Sequence, residues 1–255
     1  MTPGKAAGSE PIDAVYAWSE GGQLEYSLRS LGRFAPWIRK VYVVAGEKAP
    51  KWLAGNRARL SLVRHADLLP AGANADLAGW QMFRIPGLSR QFLYLDANTF
   101  LGQPLNASDF LSSKSGYRFF VEPSDIPPGS TAESLLNSRF GKRSPRKTVA
   151  RTPHLLDRGF LEEVHRLWEK PIKQGGVSLL NLYFYFLLES PLQYKAHEQS
   201  AIAPELYGSA PLSDRKLVSA MLSGGPKFFR LEGEASLTTQ MALKLHFLRK
   251  SAFEK

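Results

Sequence analysis

The residues best placed to do chemistry stand at the end of an apolar run. Phe92-Leu93-Tyr94-Leu95 leads into Asp96-Ala97-Asn98, after which Thr99-Phe100-Leu101 turns apolar again. A carboxylate and an amide carbonyl two positions apart are hard oxygen donors of the kind that hold Mg2+ or Mn2+. At the C-terminal end of a buried strand they would open into the crevice where α/β sheets bind ligands. The same spacing also occurs in plain turns. Upstream, Asp13, Tyr16 and Trp18 interleave an acid and two aromatics with core residues, and such rings either stack on a ligand or pack. From Arg139 to Arg151 six cations occur with no acid: Arg139, Lys142, Arg143, Arg146, Lys147 and Arg151. That segment suits a phosphorylated substrate, a nucleic acid, an anionic membrane or a solvated loop.

A strand end of this kind needs a sheet behind it. Residues 12–18, 41–45, 60–63 and 91–95 read as strands, and the continuously apolar ones as covered on both faces. Between the first two, Leu24, Leu28 and Leu31 fall on one helical face, with Glu25 and Arg29 as an i,i+4 pair and Pro36 as the stop. Residues 75–84 read as a weak helix. This alternation predicts βαβ units and a mostly parallel sheet. Residues 117–121 and 227–231 are later strands, and the second half is more helical. Ser130 with Glu133 predicts a capped helix to about Phe140, stopped by Gly141. Thr152-Pro153 predicts the start of another helix, carrying Leu156, Phe160, Val164 and Leu167 to a stop at Pro171. Gly175-Gly176 precedes a helix buried on most sides over 179–188, and 191–226 is expected to be irregular. Leu237, Met241, Leu245 and Leu248 form a last apolar stripe, flanked by Lys244, Arg249 and Lys250 and expected to dock on its own domain. The fold class is therefore α/β, a parallel twisted sheet flanked by helices. It is expected as one domain over 11–255 behind a disordered tail at 1–10.

Composition excludes much else. The chain has 255 residues, 44% hydrophobic and 22% charged, enough for a core and too apolar for wholesale disorder. With no cysteine, disulfides, thiolate metal sites and a Cys nucleophile are out. The net charge is +10, and +4 without the six cations of 139–151, so the basic character is largely local. The longest apolar stretch, from Leu179 to Leu188, is about half the ~20 residues of a membrane-spanning helix. The first residues lack a signal-peptide pattern. The expectation is a soluble, cytoplasmic chain. Phosphate-loop, dinucleotide, nucleophile-elbow and zinc-protease motifs are absent. The five histidines show no metal-ligand spacing. No recognition module accompanies the basic segment, so nucleic acid is set aside as a partner.

The Asp96-Ala97-Asn98 triplet resembles the D-x-D element of nucleotide-sugar transferases of the GT-A fold, in which a cation bridges the diphosphate. Tyr16 or Trp18 would then stack a uracil-type base. Longer blocks carry a second resemblance: I-D-A-V-Y-A-W-S-E-G from Ile12, Y-S-L-R-S-L-G-R-F-A-P-W-I-R-K-V-Y-V-V from Tyr26, P-K-W-L from Pro50, R-I-P-G-L-S-R-Q-F-L-Y-L from Arg84, F-L-G-Q-P-L from Phe100 and, more thinly, T-P-H-L-L-D-R from Thr152. In order, they resemble the Stealth family of sugar-1-phosphate transferases, which includes bacterial capsule polysaccharide phosphotransferases and the α/β subunit of N-acetylglucosamine-1-phosphotransferase.

The resemblance implies a GT-A-like core at 11–125 that binds a nucleotide sugar, UDP-sugar foremost, with a helical acceptor cover at 126–255. It implies transfer of a sugar 1-phosphate, or of the sugar, to a hydroxyl on a glycan, lipid-linked or protein acceptor. On this reading Asp96 and Asn98 hold Mg2+ or Mn2+, and Asp96, Arg84 and Arg29 are catalytic. The two arginines would stabilise phosphoryl charge, unless they form surface ion pairs. Asp13, Tyr16, Trp18 and Ser30 line the nucleotide. Arg143, Arg146 and Lys147 grip the acceptor or an anionic inner membrane face. The departures are equally specific. The family's N-D-D-V reads Asp96-Ala97-Asn98-Thr99, its upstream acid falls on Gly79, and two of its histidines fall on Gln81 and Phe83. Its later H-x-F-R segment has no counterpart in 175–180. Either Asp96 has taken over as ligand, or the chemistry has changed, or the chain is a catalytically inactive homologue that binds a nucleotide, glycan or protein.

Overall fold

The apolar runs of the first hundred residues become strands because each is covered on both sides. A computed structural model of the chain describes residues 10–18, 23–47, 51–53, 57–71, 73–112, 116–143, 145–190, 196–200, 211–212, 215, 218–219, 225–231 and 235–254. Strand β1 (Ile12–Ala17) leads to helix α1 (Leu24–Phe34), which returns the chain to β2 (Ile38–Ala45). Leu24, Leu28 and Leu31 are the buried stripe of α1. Then come β3 (Leu60–Arg64), the single turn α2 (His65–Leu68), a 3-10 segment (Ala75–Arg84) where a weak helix was expected, and β4 (Gln91–Asp96). β1 to β4 are mutually parallel in the order β3-β2-β1-β4. The short β5 (Thr99–Leu101), β6 (Leu111–Ser112) and long β7 (Gly116–Asp125) follow. Helix α3 (Thr131–Phe140) has the expected cap, Ser130 Oγ accepting from Glu133 N at 3.3 Å. Gly141 closes it at φ 80°, a left-handed position that glycine takes without strain.

The next segment differs from its sequence reading. Thr152-Pro153 does not open a helix: after β8 (Lys147–Val149), residues His154–Asp157 form β9, antiparallel to β4 at the sheet edge. All four are buried, and covering β4 outweighs the local proline signal. The helix α4 (Arg158–Leu167) starts later, because Asp157 Oδ1 accepts from Gly159 N at 2.8 Å and Phe160 N at 3.3 Å, a stronger N-cap. Pro171 is not a stop: it lies in the first turn of α5 (Glu169–Gln174), where its missing N–H costs little.

Helix α6 (Leu179–Glu189) is sealed as expected, with Asn181 to Leu187 all buried. Its polar atoms hold strands: Asn181 Oδ1 accepts from Val149 N at 2.8 Å, and Tyr183 OH accepts from Asp157 N at 2.7 Å. The described parts of 191–226 include β10 (Ala196–Ser200), paired with β7, and β11 (Pro211–Leu212). β12 (Phe228–Leu231) pairs with β5, and α7 (Leu237–His246) packs beneath it. The apolar stripe of α7 does not dock on the domain; it faces outward, and the helix buries Thr239 and Leu243 instead. Most of the expected tail at 1–10, all but Glu10, lies outside the described residues. Among the described residues no helix is long and apolar enough to cross a membrane.

Candidate active site at the strand ends

Strand order reverses at β1, with β2 and β3 on one side and β4 on the other. Such switch points leave a crevice beyond the strands' C-terminal ends. Here β1 and β4 end in register, Ala17 opposite Asp96. A cavity of about 620 Å3 opens there. Ala17 and Trp18 reach it from β1, Val44, Gly46 and Glu47 from β2, His65 from the end of β3, and Tyr94 and Asp96 from β4. The 3-10 segment supplies a wall with Ala75, Ala78, Gly79 and Met82. Arg151 completes it, because Tyr94 pairs with His154 in antiparallel β9 and the residues just before that pair pass the end of β4.

Asp96 faces this cavity. Its Oδ1 accepts from Asn98 N at 2.9 Å, which shapes the turn, and its Oδ2 meets Arg151 Nη2 at 3.3 Å. Both side chains remain open to solvent, Asp96 31% and Arg151 63% exposed. Beside them the Tyr94 phenol is pushed up to about 12, first by burial and then by the Asp96 carboxylate. It is a neutral hydroxyl at physiological pH.

Trp18 also lines the cavity, and its backbone N donates to Val44 O at 3.0 Å. These two, Asp96 and Trp18, are the sequence candidates that the fold brings together.

The others are placed elsewhere, each for a physical reason. Asp13 lies at the opposite, N-terminal end of β1, fully buried. Arg39 Nε and Nη2 clamp its two oxygens at 2.8 and 2.6 Å, and Ser89 N donates to it at 2.8 Å. It fastens strands instead of lining a nucleotide. Tyr16 points under α1, its hydroxyl 3.0 Å from Ser27 Oγ, with burial holding the phenol protonated. Ser30 Oγ donates to Ser27 O at 2.8 Å and accepts from Leu101 N at 3.0 Å. Arg29 is consumed by Glu25, by Glu254 at 3.2 Å and by Phe247 O at 3.1 Å. Arg84 is exposed, stacked over Phe83 at 5.7 Å, and does not line the cavity.

The cationic segment is likewise mostly structural. Arg146 is buried and forks onto Glu189 at 2.6 and 2.8 Å, with Asn137 Oδ1 at 2.7 Å. Arg143 leans toward Glu189 at 3.6 Å, and Lys147 pairs with Asp125 at 2.7 Å. Arg151, the last cation of the run, is the one that reaches the cavity.

The fit to a divalent ion is partial. Asn98 Oδ1 accepts from Gln23 N at 3.0 Å, so its carbonyl serves the entry to α1 and the expected Asp96–Asn98 ligand pair is not formed. No group of three His, Cys, Asp or Glu suited to a metal occurs among the described residues. Asp96 alone fits, since Mg2+ is commonly held by one carboxylate together with substrate phosphates and water.

Residues 17–119 match the family profile described as Stealth protein CR2, conserved region 2. An exopolysaccharide phosphotransferase of Streptomyces coelicolor is 37% identical over 161 residues, 56% of this chain and 17% of that one. Exopolysaccharide phosphotransferase CpsY of Mycobacterium tuberculosis is 30% identical over 191 residues, 64% and 36% of the two chains. Capsular polysaccharide phosphotransferase WcwK of Streptococcus pneumoniae is 34% identical over 124 residues, 47% and 37%. Over residues 17–119 the chain matches Stealth conserved region 2.

The chain spans between 17% and 37% of the length of those relatives. Its fold is that of GT-A-like transferases. The glycosyltransferase GlyE of Streptococcus pneumoniae TIGR4 superposes with a TM-score of 0.52 at 12% identity, covering 94% of this chain and 61% of that one. Galactosyltransferase LgtC, in complex with donor and acceptor sugar analogues, gives 0.51 at 10%, covering 92% and 95%.

The departures from the Stealth blocks take on structural meaning here. Gly79, aligned with the family acid, lines the cavity, and a Cβ there would meet only Leu179 Cδ1 at an ordinary 3.6 Å. Gln81 and Phe83, aligned with the histidines, pack on α4. Gln81 Nε2 donates to His165 Nε2 at 2.7 Å, and the Phe83 ring lies 5.5 Å from that imidazole. Burial lowers the pKa of His165, which suits its accepting role.

Proposed function

We propose that the strand-end cavity binds a nucleotide sugar, UDP-sugar foremost, and that the chain transfers sugar 1-phosphate to a hydroxyl acceptor in polysaccharide or glycoconjugate synthesis. The Asp96–Arg151 pair at the mouth of a 620 Å3 cavity carries this reading. The exopolysaccharide and capsular phosphotransferases among its relatives support it. Trp18 offers an aromatic wall for the base. Arg151 offers a planar fork of donors to the diphosphate, and Asp96 orients that fork. Bound Mg2+ or Mn2+, held by Asp96, would add charge neutralisation at the diphosphate. The acceptor oxygen forms a bond to the sugar-bearing phosphorus as the bond to the bridging oxygen breaks, and the nucleoside monophosphate leaves. The proton of the hydroxyl passes to a cavity base, for which Asp96, Glu47 and His65 have the chemistry. Residues 11–125 supply most of this core and 126–255 the acceptor side, with Arg151 and β9 crossing between them. The acceptor is a glycan or a lipid-linked glycan.

Incubation with UDP- and GDP-sugars and a glycan acceptor, followed by phosphorus NMR of the product, tests the reaction. A phosphodiester-linked sugar with release of nucleoside monophosphate is expected. Release of nucleoside diphosphate would mean glycosyl transfer instead. The bare Gly79 wall and the turned-away Asn98 favour a second outcome, nucleotide binding with no turnover, which would make this an inactive binding homologue.

A further inference from the structure

The last helix is apolar on two opposite sides. On one, Thr239, Leu243 and the capping Phe247 are buried, the latter two in a small core with Phe100, Phe229 and Leu231. At about 100° per residue, Leu237, Met241 and Leu245 fall together almost opposite that face. They are 79%, 65% and 67% exposed, and Leu248 just beyond the helix is 62% exposed. These are the four most exposed large hydrophobic side chains among the described residues. Lys244 stands at the edge of the stripe and Arg249 and Lys250 follow it, all exposed, with no acid anywhere from Ala235 to Lys250.

We propose that this face of α7 lies on an anionic membrane surface, with Leu237, Met241, Leu245 and Leu248 among the upper acyl carbons and Lys244, Arg249 and Lys250 on the headgroups. An apolar stripe bordered by cations and free of acids matches hydrocarbon beneath a layer of negative charge. A second copy would bring the same cations against themselves, so charge complementarity favours lipid over self-association. The helix is far too short to span a bilayer and its other side is committed to the core, so it lies in the interface. This inference does not depend on what the cavity binds.

Flotation of the full chain with vesicles tests it, using phosphatidylcholine alone and phosphatidylcholine with about 30% phosphatidylserine. The chain is expected to float with the anionic vesicles at least ~10-fold more than with the neutral ones, and less at high salt. Met241→Ser with Leu245→Ser, and separately Lys244→Glu with Lys250→Glu, should each cut that binding about 10-fold with an unchanged melting temperature and unchanged nucleotide titration. No flotation with anionic vesicles, equal flotation with neutral ones, or variants that bind like the parent would overturn the proposal. So would a dimer in light scattering that the serine pair abolishes, because a second copy would then cover the stripe. Nucleotide binding is read separately, so failure here leaves the cavity's reading intact.

Discussion

At the scale of single residues, the same side-chain types serve opposite purposes according to what surrounds them. Asp13 and Asp96 sit at the two ends of adjacent parallel strands. One is fully buried under a bidentate arginine, while the other shares a half-open mouth with a cation it touches through one nitrogen. Sequence shows two acids near apolar runs; only the pairing of distant segments tells which one is free to meet a ligand. Arg151 was legible as a charge but not as a site residue, since its position depends on β9 turning back along β4. Replacing it tests that difference. Arg151→Ala is expected to weaken UDP-sugar binding about 10- to 100-fold, the worth of a hydrogen bond to a charged group. Calorimetry reads the affinity, and because the side chain is mostly exposed the melting temperature should not move.

His154 makes a prediction of a different kind. It is wholly buried, its Nδ1 donating to Thr152 O at 2.7 Å and its Nε2 accepting from Phe120 N at 3.2 Å, and burial lowers its pKa to about 4. The unfolded chain takes up a proton near 6.5 while the folded chain does so only near 4. The neutral form's contribution is therefore complete above 6.5 and lost as pH falls toward 4. Urea unfolding should show stability declining by up to about 3 kcal/mol across that window, and His154→Gln should flatten the slope.

At the scale of elements, register and capping explain both what the sequence reveals and what it conceals. β1 to β4 and α1 were readable because their apolar spacing and their tertiary environment agree. The helix assigned from Thr152 failed because a local cap signal competed with burial of four residues against β4, and burial of that size dominates. Two substitutions probe how these elements are joined. Asp13→Ala removes the carboxylate that bridges Arg39 and Ser89 N, and it should cost about 2–3 kcal/mol in urea unfolding with nucleotide affinity unchanged. Gly32→Ala would normally favour a helix by about 1 kcal/mol. Here the new Cβ would sit 2.7 Å from Ser251 Cβ, on the C-terminal residues that Arg29 clamps through Glu254. Net destabilisation of about 1–2 kcal/mol is expected instead, and a gain in melting temperature would show that this tail moves aside freely.

At the scale of the whole molecule, a GT-A-like sheet with its crevice at a strand-order reversal accounts for why the cavity lies where it does, and the match to Stealth conserved region 2 over residues 17–119 motivates the proposal for what it holds. The sequence blocks carry the Stealth resemblance clearly, because they run in order through the strands and α1. They overstate the site, because most of their polar residues fasten elements together: Arg29, Ser30 and Asp13 hold α1, the tail and β2. The outward stripe of α7 was misplaced for the opposite reason, since helical periodicity marks an apolar face without saying what covers it. A crystal soaked with a UDP-sugar examines the central claim most directly. The account predicts the diphosphate against Arg151 and Asp96 with the base beside Trp18; a nucleotide bound elsewhere, or none at millimolar concentration with and without Mn2+, would contradict it.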